Sequence, residues 1–520
     1  MNLDSVSKDR LLKTLLPRPR RVTSVSGDLA IIDRAKIIVS GEDSAQALFA
    51  AQRLAELLRE GFGLLLPVVS SNRGEAFQIY ITSYGTTSDV PLDADMKGLN
   101  EEGYRLEVNG RAARIQSPTG KGLLWGAMTF HQLVTRQQEN MLAAGVKITD
   151  WPRYPWRGFM IDSGRAPNSL PKMKRVIRIC SAFKLNSVIF REGDDELAAV
   201  RYRTNKLGST NPYALSMDEV KDLVEYAYQY GVVVVPEIES LGHSTAKGFY
   251  YPDLVNGGFE QKYEGIGTHI RKSHLHVGDP RSYELLASIY DEWFGVIKSQ
   301  LVHLGLDEVR LSVEEQAKHL RLLLPVVDKV GAKHGLCITP IIWADAPATP
   351  PEYRDRVIRC LWSYAEDHVG LDNEWLVKQG MDELSAEGCQ EKVFMAGGSG
   401  SLHTPYTKSD YPDAFRNLAD WARWGKDRQN FIGLCAVQWS GNMLDDWLPD
   451  FLAAADYSWN PLDEPPPFEE EIARIRAHLA RLADSAKPKL DEVDRPAWDA
   501  IWLDGKEWGE DIMTGKKRKT

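Results

Sequence analysis

Eight short runs rich in β-branched residues recur between residues 151 and 460, each followed by a longer stretch with apolar residues at helical spacing. The runs are RGFMIDSGR (157–165), LNSVIFREG (185–193), VVVVPEIES (232–240), LVHLGLDEV (301–309), CITPIIWAD (337–345), VIRCLWSYA (357–365), KVFMAGGSG (392–400) and FIGLCAVQWS (431–440). Helical patterns stand out in LPKMKRVIRICSAFK, SMDEVKDLVEYAYQYG, PRSYELLASIYDEWFGVIKS and SVEEQAKHLRLLLPVVDKVGAKHG. Ser216, with Glu219 three residues on, writes a capping box for the second of these. Eight strand-then-helix units specify a (β/α)8 barrel better than an open sheet. Such a barrel places its site at the C-terminal ends of the strands.

The flanks read differently. Residues 1–150 form a small α/β domain: AIIDRAKIIVS and FQIYITS are strand-like, and SAQALFAAQRLAELLREGFG is helical and stops at Gly. GYRLEVNGRAARIQS is a hairpin about Asn-Gly, and KGLLWGAMTFHQLVTR is a second helix. The barrel occupies 151–460. Beyond it, residues 461–520 make a helical C-terminal tail, opening with a PLDEPPPFEEE linker and carrying Trp498, Trp502 and Trp508. The tail has the barrel or a second subunit to pack against, so a homodimer is one expected assembly. The fold class is therefore α/β, a TIM barrel between a small α/β domain and a helical tail.

A net charge of −10 gives a polyphosphate no surface to bind, so nucleic acid is not an expected partner. Five Cys, odd in number and without Cys-x-x-Cys spacing, suggest neither a disulfide framework nor a zinc knuckle. The first residues lack the apolar stretch of a secretory signal, and no long uncharged apolar run occurs. The expectation is a cytoplasmic protein with no membrane partner.

Polar and aromatic residues gather at the strand ends. In order they are Asp162 and Arg165; Asp194 and Asp195; Glu237, Glu239 and His243; Asp307 and Glu308; Trp343 and Asp345; Trp362 and Tyr364; His403; and Trp439 with Asp445. Carboxylates beside tryptophans suit a site that protonates a leaving oxygen and stacks a sugar face. A metal-dependent barrel hydrolase is the competing reading. It calls for clustered histidines at a strand end, whereas His243, His303 and His403 are isolated in sequence. No metal and no other cofactor is expected.

RYPWRGFMIDSGR, KLNSVIF with GDDE, VVVVPEIESLGH and LVHLGLDEV, in that order, resemble the blocks of glycoside hydrolase family 20, the β-N-acetylhexosaminidases. The first 150 residues resemble the family's non-catalytic N-terminal domain, from LLPRPRRV to GLLWGAMTFHQLV. The resemblance implies an exo-acting, retaining enzyme that removes terminal GlcNAc or GalNAc from a glycan, with the substrate's own 2-acetamido group as nucleophile. It assigns Glu308 as general acid and then base, and Asp307 as the residue that orients the acetamido group. Asp307, as a neighbouring anion, is expected to raise the Glu308 pKa. The resemblance further implies Arg165 on sugar hydroxyls, Asp194 in support of the acid, His243 as the substrate-site histidine of the family's Pro-Gly-His block, and Trp343, Trp362 and Trp439 as aromatic walls.

Several positions depart from the family pattern. Ile189 and Arg191 stand where histidines are usual, Glu239 replaces an aspartate, Leu241 a proline, and Leu306 a glycine. The family's strand-7 tyrosine has no clear match, leaving Tyr364 and His403 as substitutes. Gly441 stands at a usual sugar-binding glutamate, leaving Asp445 or Asp446 as replacements. Arg191 raises the alternative of a hydrolase for a modified, for instance sulfated, amino sugar. A barrel that binds glycans without cleaving them is the other alternative.

Overall fold

The computed structural model describes residues 2–41, 44–70, 78–83, 101–165, 168–263, 267–346, 349–364, 368–398, 410–439 and 444–486. His403, Trp498, Trp502 and Trp508 lie outside the described residues, as does the side chain of Asp445. The chain divides into two compact units.

The first unit draws on Met1–Pro155, Ala182–Lys184 and the segment from Ala455. Its seven-stranded sheet has the order Arg21–Ser24, Val146–Asp150, Tyr104–Val108, Ala112–Ser117, Gln78–Ser83, Ile37–Gly41, Val68–Ser70. The expected hairpin is there, Leu106 pairing Ile115, with Asn109 Oδ1 accepting from the Arg111 and Ala112 N–H groups at its turn. Helices Ser44–Phe62 and Gly120–Leu133 pack together and on the sheet. The second helix stops short of the expected position. β-Branched Val134 and Thr135 enter a strand that pairs with Asn140–Ala143 instead. Helix Phe468–Ala486, the described start of the C-terminal tail, packs on Ser44–Phe62. Arg18 fastens this end of the chain through Asp456, at 2.7 Å, and Glu471.

The second unit is the barrel. Its strands are β1 (Trp156–Asp162), β2 (Ser187–Arg191), β3 (Val233–Glu237), β4 (Leu301–His303), β5 (Thr339–Trp343), β6 (Ile358–Trp362), β7 (Val393–Gly397) and β8 (Phe431–Gln438). They close in sequence order, every pair parallel, with β8 back on β1. Met160, Ile189, Val235, Leu301, Ile341, Ile358, Phe394 and Val437 fill the interior. At roughly 1.5–3 kcal/mol for each large buried side chain, this plug is a packed core, so chemistry is confined to the strand ends. Ser216 and Glu219 make the expected capping box, and Ser312 with Glu315 makes another. Between β3 and β4 the chain also carries a long hairpin, Val255–Tyr263 with Gly267–Leu275. Among the described residues, no helix is long and apolar enough to cross a membrane.

β4 is shorter than expected. Gly305 at φ +68° and Leu306 at φ +79° turn the chain out of the sheet, and Glu308 at φ +52° completes the turn. Asp307 and Glu308 therefore sit on a turn and not, as the sequence suggested, at alternating positions of a strand.

Candidate active site

The turn after β4 is held from two sides. Asp345, beyond β5, accepts the Glu308 N–H at 2.8 Å and the Trp362 indole N–H at 2.9 Å. Glu239, beyond β3, accepts the Leu306 N–H at 3.2 Å. Three of the five non-glycine residues with positive φ in the described chain, His243, Leu306 and Glu308, lie here. Each costs of order 1–3 kcal/mol, which only surrounding contacts can offset, and such strain concentrates at functional sites.

His243 joins the charged groups. Its Nδ1 lies 3.0 Å from Asp194 and 2.9 Å from Asp195, and its Nε2 lies 3.5 Å from both Asp307 Oδ2 and Glu308 Oε2. The imidazole is buried, which disfavours its charge. The charges of Asp194 and Asp307 and the hydrogen bonds that the ring donates to Asp194 and Asp195 outweigh that and raise its pKa well above the usual range. Burial likewise works against ionised Asp307, yet Arg191, His243 and a hydrogen bond with Glu239 hold it below the usual carboxylate range. Glu308 is the more open of the pair, its side chain 32% exposed against 8% for Asp307.

Arg191 is wholly buried. Its guanidinium lies 2.7 Å from Glu237, 2.9 Å from Glu239, 2.9 Å from Asp194 and 3.7 Å from Asp307. Its charge is committed to carboxylates, which removes the basis for reading it as a contact to a sulfated sugar. Arg165 pairs through Nε with Asp194 at 2.9 Å and Asp162 at 3.2 Å, and its guanidinium lies over Trp439. The groups Asp194–Asp195–His243 and Glu237–Glu239–Asp307 have the spacing of metal ligands. Their carboxylates already face side-chain cations, Arg165 and His243 in the first group and Arg191 in both.

Aromatic rings close a box beside this cluster. Trp343 lies 6.4 Å from Trp362 and 5.7 Å from Trp439, and Tyr364 lies 5.2 Å from Trp362 and 6.1 Å from Trp439, centroid to centroid. Trp343 is fully buried, with its indole N–H on Glu237, so it forms the floor rather than an open stacking face. The geometry thus gathers Arg165, Asp194, His243, Asp307, Glu308, Trp343, Trp362, Tyr364 and Trp439 at one end of the barrel. It also gives partners to Arg191, Glu237, Glu239 and Asp345, which the sequence placed near strand ends without a role in holding the pair, because their contacts come from other strand ends and leave no local pattern.

Burial pushes Asp162 up to about 8; Arg165 opposes the shift and Asp194 adds to it. A raised carboxyl pKa stabilises the native state below the ordinary value of 3.8, and the contribution is lost as pH climbs toward 8. Thermal unfolding of Asp162→Asn is therefore expected to lose less Tm than the parent over that window. Parallel Tm–pH curves would contradict the assignment.

A closed parallel barrel that presents paired carboxylates and a box of aromatic rings at its strand ends has the form of a glycoside hydrolase. The profile described as glycosyl hydrolase family 20, domain 2 matches residues 13–151, and that of the family 20 catalytic domain matches residues 154–328. The chain belongs to glycosyl hydrolase family 20. A beta-hexosaminidase of Porphyromonas gingivalis is 27% identical over 313 residues, covering 56% of this chain and 38% of that protein. A beta-N-acetylhexosaminidase of Cellulomonas fimi is 27% identical over 357 residues, covering 65% of this chain and 67% of that protein. Among the first curated relatives the matched part spans 38%, 54% and 49% of their own length. The Streptomyces plicatus N-acetyl-beta-hexosaminidase, solved in complex with Thio-NAglucal, shares the fold. Its TM-score is 0.73 at 22% identity, over 92% of this chain and 97% of that one.

Proposed function

We propose that the chain is an exo-acting, retaining β-N-acetylhexosaminidase that releases terminal β-linked GlcNAc or GalNAc from a glycan by substrate-assisted catalysis. The observation that carries the reading is His243 Nε2 at 3.5 Å from both Asp307 and Glu308. In this reading the two carboxylates turned to one imidazole stand together on one side of the bound sugar. A protein nucleophile and a protein acid must instead flank the anomeric carbon from opposite faces. With the acid on one side, the attacking atom comes from the substrate, and its 2-acetamido oxygen is the group in reach.

In this reading Glu308 protonates the glycosidic oxygen and later takes a proton from water. Asp307, held anionic by Arg191 and His243, accepts the acetamido N–H and favours the positive charge that develops on that group as its oxygen attacks. His243, backed by Asp194 and Asp195, balances charge as Glu308 cycles. Trp343, Trp362, Tyr364 and Trp439 enclose the acetamido group and sugar ring, and the Arg165 guanidinium binds sugar hydroxyls. The test is hydrolysis of aryl β-GlcNAc and aryl β-GalNAc by the purified protein and by Glu308→Gln. Inactivity of the parent on both sugars, with no difference in the variant, would sink the proposal. Glycan binding without turnover, unaffected by the variant, would favour a non-catalytic binding barrel.

A further inference from the structure

The turn that presents Asp307 and Glu308 is strained at Leu306, and opposite the Asp345 contact to Glu308 it is held by Glu239 and Arg191. Glu239 Oε2 accepts the Leu306 N–H at 3.2 Å. It also lies so close to Gly305 that a Cβ there would fall 2.1 Å from that oxygen. Arg191 Nη1 meets the other oxygen, Glu239 Oε1, at 2.9 Å, while Nη2 faces Asp307 Oδ2 at 3.7 Å. Both side chains are fully buried. The two side chains touch each other as well as the turn. Glutamate is one methylene longer than aspartate, and that length reaches the turn. Arginine supplies a planar fork that spans Asp194, Glu237, Glu239 and Asp307 at once, which an imidazole has too few donors to do.

We propose that Arg191 and Glu239 form a clamp, a coupled pair of positioning residues that holds the Gly305–Glu308 turn in its left-handed conformation and so fixes Asp307 and Glu308 against the substrate. The proposal rests on the hydrolase reading for its kinetic consequence and on the turn geometry for its structural one. Neither residue touches substrate. Each acts through the turn, so the effect falls on kcat rather than on binding.

The test compares Glu239→Asp, Arg191→His and the double variant of the full chain. Each single change is expected to lower kcat for an aryl β-N-acetylglucosaminide about 100-fold, the cost of misplacing a catalytic group by an ångström. KM should stay within about threefold, as for an interaction made only in the transition state. The double variant is expected to lose no more than about the worse single, because both residues act through the same turn, a coupling that independent structural losses do not show. An unchanged kcat in Glu239→Asp, a matching shift in KM, or additive losses in the double variant would overturn the clamp. Glu239→Asp is the mildest change, and its crystal structure supplies a readout that needs no activity. Leu306 is expected to leave the left-handed region or the Asp307 carboxylate to shift; an unmoved turn would overturn the proposal. An inactive parent protein would remove the hydrolase reading alone, and the crystal structure would still decide the clamp.

Discussion

Glu308→Gln is expected to lower kcat on a disaccharide with a terminal β-linked GlcNAc by about 10²–10⁴-fold, the range for loss of a positioned general acid. Glutamine keeps the size of the side chain and its place on the turn, so KM should change little. The loss depends on the leaving group. An alkoxide leaves poorly without a proton, whereas 4-nitrophenolate leaves readily, so the first chemical step of an aryl substrate should suffer less. Equal losses in that step for the two substrates, read by pre-steady-state kinetics, would mean that Glu308 is not the acid.

Arg191→Met should have the largest effect on stability. The guanidinium faces Glu237, Glu239, Asp194 and Asp307 at once. Removing one partner of a buried charge network leaves the others uncompensated, at a cost of about 3–5 kcal/mol. Burial pushes Glu237 up to about 7 even with Arg191 opposing the shift. Without the arginine this carboxyl stays protonated to higher pH, and neutralising it should recover part of the loss. Denaturant unfolding is therefore expected to rank the parent above Arg191→Met with Glu237→Gln, and that double variant above Arg191→Met alone. A neutral Arg191→Met would show that the network contributes nothing to the fold.

The barrel was legible because its signal is local and repeated. All eight expected strands form, each a β-branched run bounded by turn residues, and the capping box at Ser216 marks a helix start correctly. Boundaries failed where one residue hides a conformation. At the end of β4, a leucine at φ +79° gives no sign of the turn that a glycine would announce, so Asp307 and Glu308 read as strand residues. Val134 and Thr135 ended a helix early because a strand partner was available to them.

The site divides in the same way. Asp307, Glu308, His243 and the tryptophans stand out as polar or aromatic residues ending apolar runs. Arg191 stood out too, but its meaning did not. Its partner Glu237 lies 46 residues away on β3, and only closure of the barrel brings them to 2.7 Å. A lone charge on an apolar strand reads as a ligand contact until its partners are seen. Asp345, which bonds the Glu308 backbone from 37 residues away, escaped a role for the same reason.

The central claim is that the substrate supplies the nucleophile. It is tested most directly by comparing turnover of 4-nitrophenyl β-GlcNAc and 4-nitrophenyl β-glucoside, which share an aglycone and differ at the 2-acetamido group. The expected result is hydrolysis of the acetamido sugar, with the β-anomer as first product, and no turnover of the glucoside above background. Comparable turnover of both would place the nucleophile on the protein and contradict the account.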